Sequence, residues 1–281
     1  MRDHTRDHTA MTEVGQLECC RPDRARCCTT GHEHSCWESN PPYTIPDCER
    51  RNLLSILTWV AAVFAPLPQD AWFLTYGSLL GSIRNGQHIS HETDVDIALD
   101  MAFWHHAHKL LHNTSHSLSH QTSHSPMAGS FDVDFPDCTD AVTSMNGNQP
   151  AARVFLSRTN RVHADIFGYI RERHSNSSIH LKADVYYRIP DDFFYPVSSC
   201  HYEGAPYPCP RKASELLQAM YGSNWRVPKP KYVSEAGLKS LHLEQFKQGH
   251  RDDDSMRSTF APVEHKGVMR SARCLCRRDA C

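Results

Sequence analysis

Polar and apolar residues alternate in a short stretch in the first half of the chain, TDVDIAL at residues 93–99. A period of two is typical of a β-strand with one buried face. The alternation places Asp94 and Asp96 on one face and the apolar residues on the other. The Cα atoms of residues two apart on a strand lie roughly 7 Å from each other, so both carboxylates can converge on one cation.

Other patterns predict a mixed α/β domain around this strand. Helical spacing from Asp47 to Ala65 indicates a helix with Asp47 as its N-cap, packed beneath a first strand at residues 71–76. Further helices are predicted at 101–111 and 211–221, the second ended by Gly222. Further strands are predicted at 153–156, 162–170, 185–189 and 193–197.

A third aspartate follows in the predicted strand 162–170. Asp165 lies among apolar neighbours, and a buried carboxylate needs a cation or a hydrogen-bonding partner. A carboxylate on a neighbouring strand would complete a one- or two-metal site, whereas a strand-end aspartate facing solvent is the simpler interpretation. A second Asp-x-Asp, Asp132–Asp134, lacks the Gly-Ser pair that precedes the first and is interpreted as a loop or an edge strand.

Small and basic residues precede the first aspartate pair. Gly77 and Ser78 are predicted to form a turn whose backbone N–H groups and hydroxyl suit a phosphate. Arg84 can add a bidentate contact to that phosphate or pair with a surface carboxylate. These residues and the aspartates together indicate metal-dependent phosphoryl or nucleotidyl transfer.

The length of the chain and the composition of its parts predict one catalytic domain with attached segments. Of its 281 residues, 1–50 form a cysteine-rich leader that we expect to be irregular, 51–232 the catalytic domain with a histidine-rich insertion at about 112–130, and 233–281 a tail of low hydropathy. The net charge is −2, and no basic stripe is interleaved with aromatic residues. Nucleic acid is therefore not expected as a partner.

Twelve cysteines favour an oxidising compartment. Cys200 and Cys209 flank Glu203-Gly204 at a spacing that suits a bridge across a hairpin. Two N-glycosylation sequons, Asn113-Thr114-Ser115 and Asn176-Ser177-Ser178, point to the same compartment. Structural Zn²⁺, held by cysteines and histidines between Cys27 and Cys36, is the alternative. No signal peptide is visible, and the apolar run 53–67 is too short to span a membrane. Either the protein is cytosolic, or the true N-terminus is missing from this sequence, which is the interpretation we favour. Membrane association would require an N-terminal anchor in that missing part.

In their order along the chain, the motifs resemble those of the LicD/fukutin-related family, a branch of the nucleotidyltransferase superfamily. The resemblance covers about residues 51–231. The matching pieces are Tyr76–Gly81 with Arg84, Asp94–Ile97, Ala164–Phe167, Tyr195-Pro196, Glu203-Gly204, Pro210, Tyr221–Trp225 and Pro228. The family usually carries a Trp-Asp pair just before the Asp-x-Asp, and this chain has His91-Glu92 there instead.

The resemblance implies a nucleotidyltransferase-like mixed β-sheet flanked by helices. It also implies transfer of a phospho-substituent, such as phosphocholine or an alditol phosphate, from a cytidine diphosphate-activated donor to a glycan hydroxyl, in the Golgi or another secretory lumen. Asp94, Asp96 and Asp165 would hold Mg²⁺ or Mn²⁺, and Gly77, Ser78 and Arg84 would bind the donor phosphate. Two alternatives stay open: a nucleotide-sugar glycosyltransferase that uses the Asp-x-Asp, and a catalytically silent relative that binds glycans or zinc.

Overall fold

The computed structural model describes residues 20–23, 45–118, 131–135, 150–172, 177–182, 185–228 and 261–262. The cysteine–histidine cluster of the leader, most of the histidine-rich insertion and nearly all of the C-terminal tail lie outside the described residues. Throughout the described ranges, every helix is too short or too polar to cross a bilayer.

Eight strands of the described chain form one mixed sheet. The strands of this sheet are β1 (Trp72–Leu74), β2 (Asp94–Asp100), β3 (Asp132–Asp134), β4 (Ala152–Phe155), β5 (His163–Glu172), β6 (Ser177–Lys182), β7 (Val185–Pro190) and β10 (Ala261–Pro262). Their order is β1-β2-β5-β6-β7-β10, and a β3–β4 pair joins the same sheet through β5. Strands β2 and β5 run parallel, whereas the other neighbours are antiparallel.

Helices flank this sheet, which confirms the predicted fold class. They are α1 (Asp47–Phe64), α2 (Tyr76–Asn85), α3 (Trp104–Leu118) and α4 (Ala213–Tyr221), with 3-10 turns at Met101–Phe103 and Asp191–Phe193. Helix α1 buries the apolar face that its spacing predicts, including Leu53, Ile56 and Leu57. Each such side chain contributes about 1.5–3 kcal/mol on burial. Because Phe64 lies beside Trp72 with ring centroids 6.0 Å apart, α1 packs against the first strand as expected.

Three local predictions are wrong. The N-cap of α1 is Pro46, and Asp47 is instead the first helical residue, 3.4 Å from Arg50. Gly77 and Ser78 do not form a turn between strands, since they lie in the first turn of α2. Residues 193–197 form no strand, because their apolar character reflects core packing: Phe194 stacks on Phe73 with centroids 5.4 Å apart.

Other elements differ in extent from the sequence prediction. Helix α3 continues to Leu118, seven residues beyond the predicted end at 111, and so includes the beginning of the histidine-rich segment. Strand β6 was not predicted. Strand β3 lies at the end of the β3–β4 branch, which confirms the edge-strand interpretation of the second Asp-x-Asp.

A separate hairpin packs on α2 and carries the predicted disulfide. Strands β8 (Ser198–Tyr202) and β9 (Ala205–Cys209) are joined by Glu203-Gly204, and Cys200 bonds to Cys209. Both turn residues have positive φ, +51° and +81°, as a two-residue type I′ hairpin turn requires. The prediction of a bridge across this hairpin is confirmed.

A second disulfide joins the described part of the leader to the first turn of α1. Cys20 bonds to Cys48 at the start of α1. The Cys20 carbonyl accepts a hydrogen bond of 2.7 Å from the Asn52 amide, and the Arg21 carbonyl accepts one of 3.1 Å from Asn160. Residues 20–23 therefore pack against the domain, although they precede its first helix by more than twenty residues.

The Cys200–Cys209 disulfide should make a measurable contribution to the unfolding free energy of the protein. We expect the double variant Cys200→Ala/Cys209→Ala to lose roughly 2–3 kcal/mol of unfolding free energy, since the bridge closes a short loop in the unfolded chain. Denaturant unfolding under oxidising conditions measures this loss. Dithiothreitol should remove less stability from the variant than from the wild type, which has one more bridge to lose. Equal losses would contradict a stabilising hairpin bridge.

Candidate active site

The acidic residues gather at the N-terminal ends of the parallel strands β2 and β5. The register pairs Asp94 with His163 and Asp96 with Asp165. Because side chains two residues apart share a face of a strand, all four lie on one face of the sheet. The predicted adjacency of the two aspartate-bearing strands is confirmed.

Three of these residues form a potential metal-binding group. Asp94, His163 and Asp165 each offer a ligand atom, and these atoms all lie within 4.8 Å of one another. The site is largely enclosed, with the side chains of His163 and Asp165 exposed by 12% and 7%. His163 Nδ1 lies 2.9 Å from the Arg161 carbonyl oxygen, which can only accept, so Nδ1 carries the hydrogen. His163 Nε2 then faces Asp165 Oδ1 at 3.5 Å, as is typical of a histidine oriented for metal binding.

An arginine on the next strand orients Asp165. Arg153 on β4 pairs in register with Asp165, and its Nε and Nη2 donate to the two carboxylate oxygens at 2.8 and 3.4 Å. A fork of this kind fixes the plane of the carboxylate and offsets part of its buried charge. Asp96, Asp165 and Arg153 therefore form one row across three neighbouring strands.

Asp96 lies beside the group of three and is held by the protein backbone. Its Oδ2 accepts a hydrogen bond of 2.9 Å from the Gly77 N–H, and its own N–H donates to Ser78 Oγ at 2.9 Å. Burial is the main cause that raises the pKa of Asp96 well above its usual value, followed by the charges of Asp94, Glu92 and Asp165. The Gly77 hydrogen bond opposes this rise. A bound cation would relieve the same repulsion.

The first turn of α2 approaches this carboxylate closely. A Cβ atom at Gly77 would lie 3.2 Å from Asp96 Oδ2 and 3.4 Å from Glu92 Cγ, so a larger residue would push against both acids. Tyr76 begins the helix at a φ of +42°, an unusual conformation for a bulky residue, and its ring packs edge-on against Phe167. The N-terminus of α2 therefore directs its positive end at Asp96.

Arg84 lies at the other end of the same helix. Its Nη2 donates to the Trp225 carbonyl at 2.8 Å, whereas its Nε is buried and has no acceptor among the described residues. Burial lowers the pKa of Arg84, and the neighbouring Tyr221 opposes this.

A match to a known family covers the acidic residues and α2. Residues 69–212 match the family model LicD/FKTN/FKRP, nucleotidyltransferase domain. The chain belongs to this family. A search of curated proteins found no match for the LicD-family chain.

Membership of the LicD family implies a transferase that modifies glycans by phosphotransferase- or nucleotidyltransferase-type chemistry. The matched segment contains Asp94, Asp96, Asp165 and His163. The structure therefore brings Asp94, Asp96 and Asp165 together inside the family domain.

One ligand candidate of this LicD-family site was missed by the sequence analysis. His163 stands two residues before Asp165, so the period of two would have placed both on one face of the strand. The sequence does not give the register of β5 against β2. The pairing of His163 with Asp94 in that register brings the imidazole to the acidic group.

The second Asp-x-Asp has a different environment. Asp132 and Asp134 bind the Arg161 guanidinium at 3.1 and 2.7 Å. That guanidinium also stacks on Phe155, with its central carbon 3.2 Å from the ring centroid. These edge-strand aspartates are therefore paired with a guanidinium, and they offer a matched comparison for the residues of the LicD-family site.

Proposed function

We propose that the protein is a metal-dependent phosphotransferase that moves a phospho-substituent, such as phosphocholine or an alditol phosphate, from a CDP-activated donor to a hydroxyl of a glycan or glycoprotein. One observation supports this most directly: ligand atoms of Asp94, His163 and Asp165 converge within 4.8 Å inside a LicD nucleotidyltransferase domain.

The residues fit a divalent cation. Two carboxylates and an imidazole are ligand types that bind Mn²⁺, and carboxylates alone also suit Mg²⁺. Asp96 adds a third carboxylate beside them, bound to the backbone of α2. A bound Mg²⁺ or Mn²⁺ would neutralise the charge that develops on the leaving nucleotide.

The protein's own groups would position both substrates. Arg84, with its buried Nε without an acceptor among the described residues, is suited to bind a donor phosphate. Gly77 keeps the start of α2 close to Asp96, so that the positive end of the helix faces the reacting phosphates. Ser78 contributes by holding the Asp96 backbone. A carboxylate of the site would accept the proton of the attacking glycan hydroxyl.

A secretory setting agrees with the covalent structure. Two disulfides link described residues, Cys20–Cys48 and Cys200–Cys209, and such bonds persist in oxidising compartments. We propose the lumen of the Golgi or another secretory compartment as the place where the enzyme meets glycoprotein acceptors.

A donor panel tests the proposed function. The full-length protein is incubated with CDP-choline, CDP-glycerol and CDP-ribitol and a mixed glycan acceptor, and we expect CMP release with one donor in Mg²⁺ or Mn²⁺ and none in EDTA. Isotope in the donor's phospho-substituent should appear in the glycan.

Other products would identify the alternatives. Transfer of a sugar from a UDP- or GDP-linked donor, with release of the nucleoside diphosphate, would show a glycosyltransferase and contradict the proposal. Tightly bound zinc without donor binding in calorimetry would show a silent relative and contradict it equally.

A further inference from the structure

Helix α3 carries a pair of histidines one turn apart, separate from the acidic site. His108 and His112 are four residues apart, and side chains at this spacing lie on the same face of a helix. Their rings are stacked, with centroids 6.2 Å apart and an interplanar angle of 15°. Because α3 continues past residue 111 to Leu118, both imidazoles stand side by side on one helix.

Two aromatic side chains pack against His108. The ring of Phe135, the residue after β3, lies against the imidazole with centroids 4.1 Å apart. The buried Trp104, one turn earlier on α3, packs edge-on against His108 at 5.9 Å and against Phe135 at 6.3 Å. His108 is therefore held in place by its neighbours, whereas His112 is exposed and has room to adjust.

The His108 ring is neutral at neutral pH. Burial is the main cause that lowers the pKa of His108, and the neighbouring His112 and His105 lower it further. A neutral imidazole keeps one ring nitrogen without a proton, and this is the form that binds a metal ion. His108 therefore needs to lose no proton before it can act as a ligand.

The chemistry of this pair differs from that of the acidic site. Residues 104–118 include no aspartate, glutamate or cysteine, so His108 and His112 offer nitrogen ligands without a carboxylate from their own helix. Imidazole suits Zn²⁺, Cu²⁺ and Ni²⁺, whereas carboxylates suit Mg²⁺ and Mn²⁺. The two sites should therefore select different classes of cation.

A metal ion between the two rings requires only a small movement. With tetrahedral geometry and metal–nitrogen distances of about 2 Å, the two ring centroids would lie about 5 Å apart. Their separation of 6.2 Å is about 1 Å longer than this. A rotation of the exposed His112 side chain can supply the difference while His108 stays packed on Phe135.

We propose that His108 and His112 form a second metal site, which binds one Zn²⁺ ion or a cation of the same class through one nitrogen of each ring, with water as the remaining ligands. An ion that joins two successive turns would stabilise the second half of α3, which leads into the histidine-rich insertion. The inference does not rest on the proposed function, since neither histidine belongs to the acidic group.

The variant His112→Gln tests this site. It replaces an exposed side chain, and we expect Zn²⁺ affinity at the pair to fall at least about 10-fold, because even residues that only orient a metal ligand have effects of that size. The chain has 20 histidines and 12 cysteines, so the pair has to be observed directly. With ¹⁵N-labelled histidine in the full-length protein, the ring signals of His108 and His112, each assigned by its loss in a glutamine variant, should shift together as Zn²⁺ is added. In His112→Gln the His108 signal should require at least about 10-fold more Zn²⁺.

The matched control is His106→Gln. His106 is also exposed and lies on the same helix, but it is turned about 200° around the helix axis from His108. Its replacement should leave the Zn²⁺ dependence of the His108 signal unchanged, and Mg²⁺ at the same concentration should not shift that signal.

Three results would overturn the proposal. They are a His108 signal that does not respond to Zn²⁺, a response at the same Zn²⁺ concentration in His112→Gln as in the wild type, and an equal response to Mg²⁺. Zn²⁺ bound at this pair is compatible with either outcome of the donor panel. Failure of one proposal therefore does not carry over to the other.

Discussion

Replacement of Asp165 by asparagine should abolish transfer, with kcat reduced at least about 10³-fold, which corresponds to roughly 4 kcal/mol of transition-state stabilisation. The change removes one negative charge from the group of three potential ligands and leaves its size unchanged. It also leaves the Arg153 guanidinium, 2.8 Å from Oδ1 in the wild type, without its charged partner. The readouts are CMP release with the active donor and Mn²⁺ binding by electron paramagnetic resonance.

The matched control for this variant is Asp134→Asn. Asp134 belongs to the second Asp-x-Asp, lies on the same sheet and is also paired with an arginine, but its side chain is 59% exposed. Exposed ion pairs contribute about 0–1 kcal/mol, so activity and metal binding should stay close to wild type. If Asp165→Asn kept its activity, or if both variants lost it equally, the metal site would not lie where we place it.

The amino-acid pattern was sufficient to locate the acidic site. Alternation identified β2 and the shared face of Asp94 and Asp96, and a carboxylate among apolar residues identified Asp165 as one that needs a partner. These signals are local, and the strands they predict are the ones that meet in the sheet. The resemblance to the LicD family, based on ordered motifs, is confirmed by the domain match.

What the pattern lacked is information about contacts between distant segments. Asp165 is paired with Arg153, which lies twelve residues earlier in the chain. This pairing depends on the antiparallel register of β4 and β5. His88 contacts the hydroxyl of Tyr202, which lies more than a hundred residues further along the chain. Small residues often break strands, so the sequence predicts a turn at Gly77 and Ser78, whereas in the structure they lie in the first turn of α2.

Asp96→Asn should have two opposite effects, a loss of transfer of at least about 10²-fold and a gain in the stability of the metal-free protein on the order of 1 kcal/mol. The stability gain follows from the raised pKa of Asp96, caused by burial and by the charges of Asp94, Glu92 and Asp165. Asparagine keeps an oxygen that can accept the Gly77 N–H but carries no charge, so the repulsion disappears while the hydrogen bond stays.

The gain in unfolding free energy from Asp96→Asn should depend on pH, with a sign set by the raised pKa of Asp96. Folded Asp96 binds its proton more tightly than the unfolded chain does, so wild-type stability falls as the pH rises from about 4 through the raised pKa. Asp96→Asn lacks this loss, so in EDTA its advantage in unfolding free energy should be small near pH 4 and largest above the raised pKa. Thermal unfolding of both proteins across this range measures it, and Asp134→Asn should show no such trend.

Metal should reverse the order of stability. A cation at 100 times its dissociation constant stabilises the folded state by about 2.7 kcal/mol, and the wild type, with its full set of carboxylates, should gain more from Mn²⁺ than Asp96→Asn does. The melting curves would then cross: the variant is more stable in EDTA and the wild type is more stable in Mn²⁺. A variant that is less stable than the wild type in EDTA at neutral pH would show that Asp96 is held by favourable contacts alone. In that case repulsion among the acidic residues would not be what a cation relieves at this site.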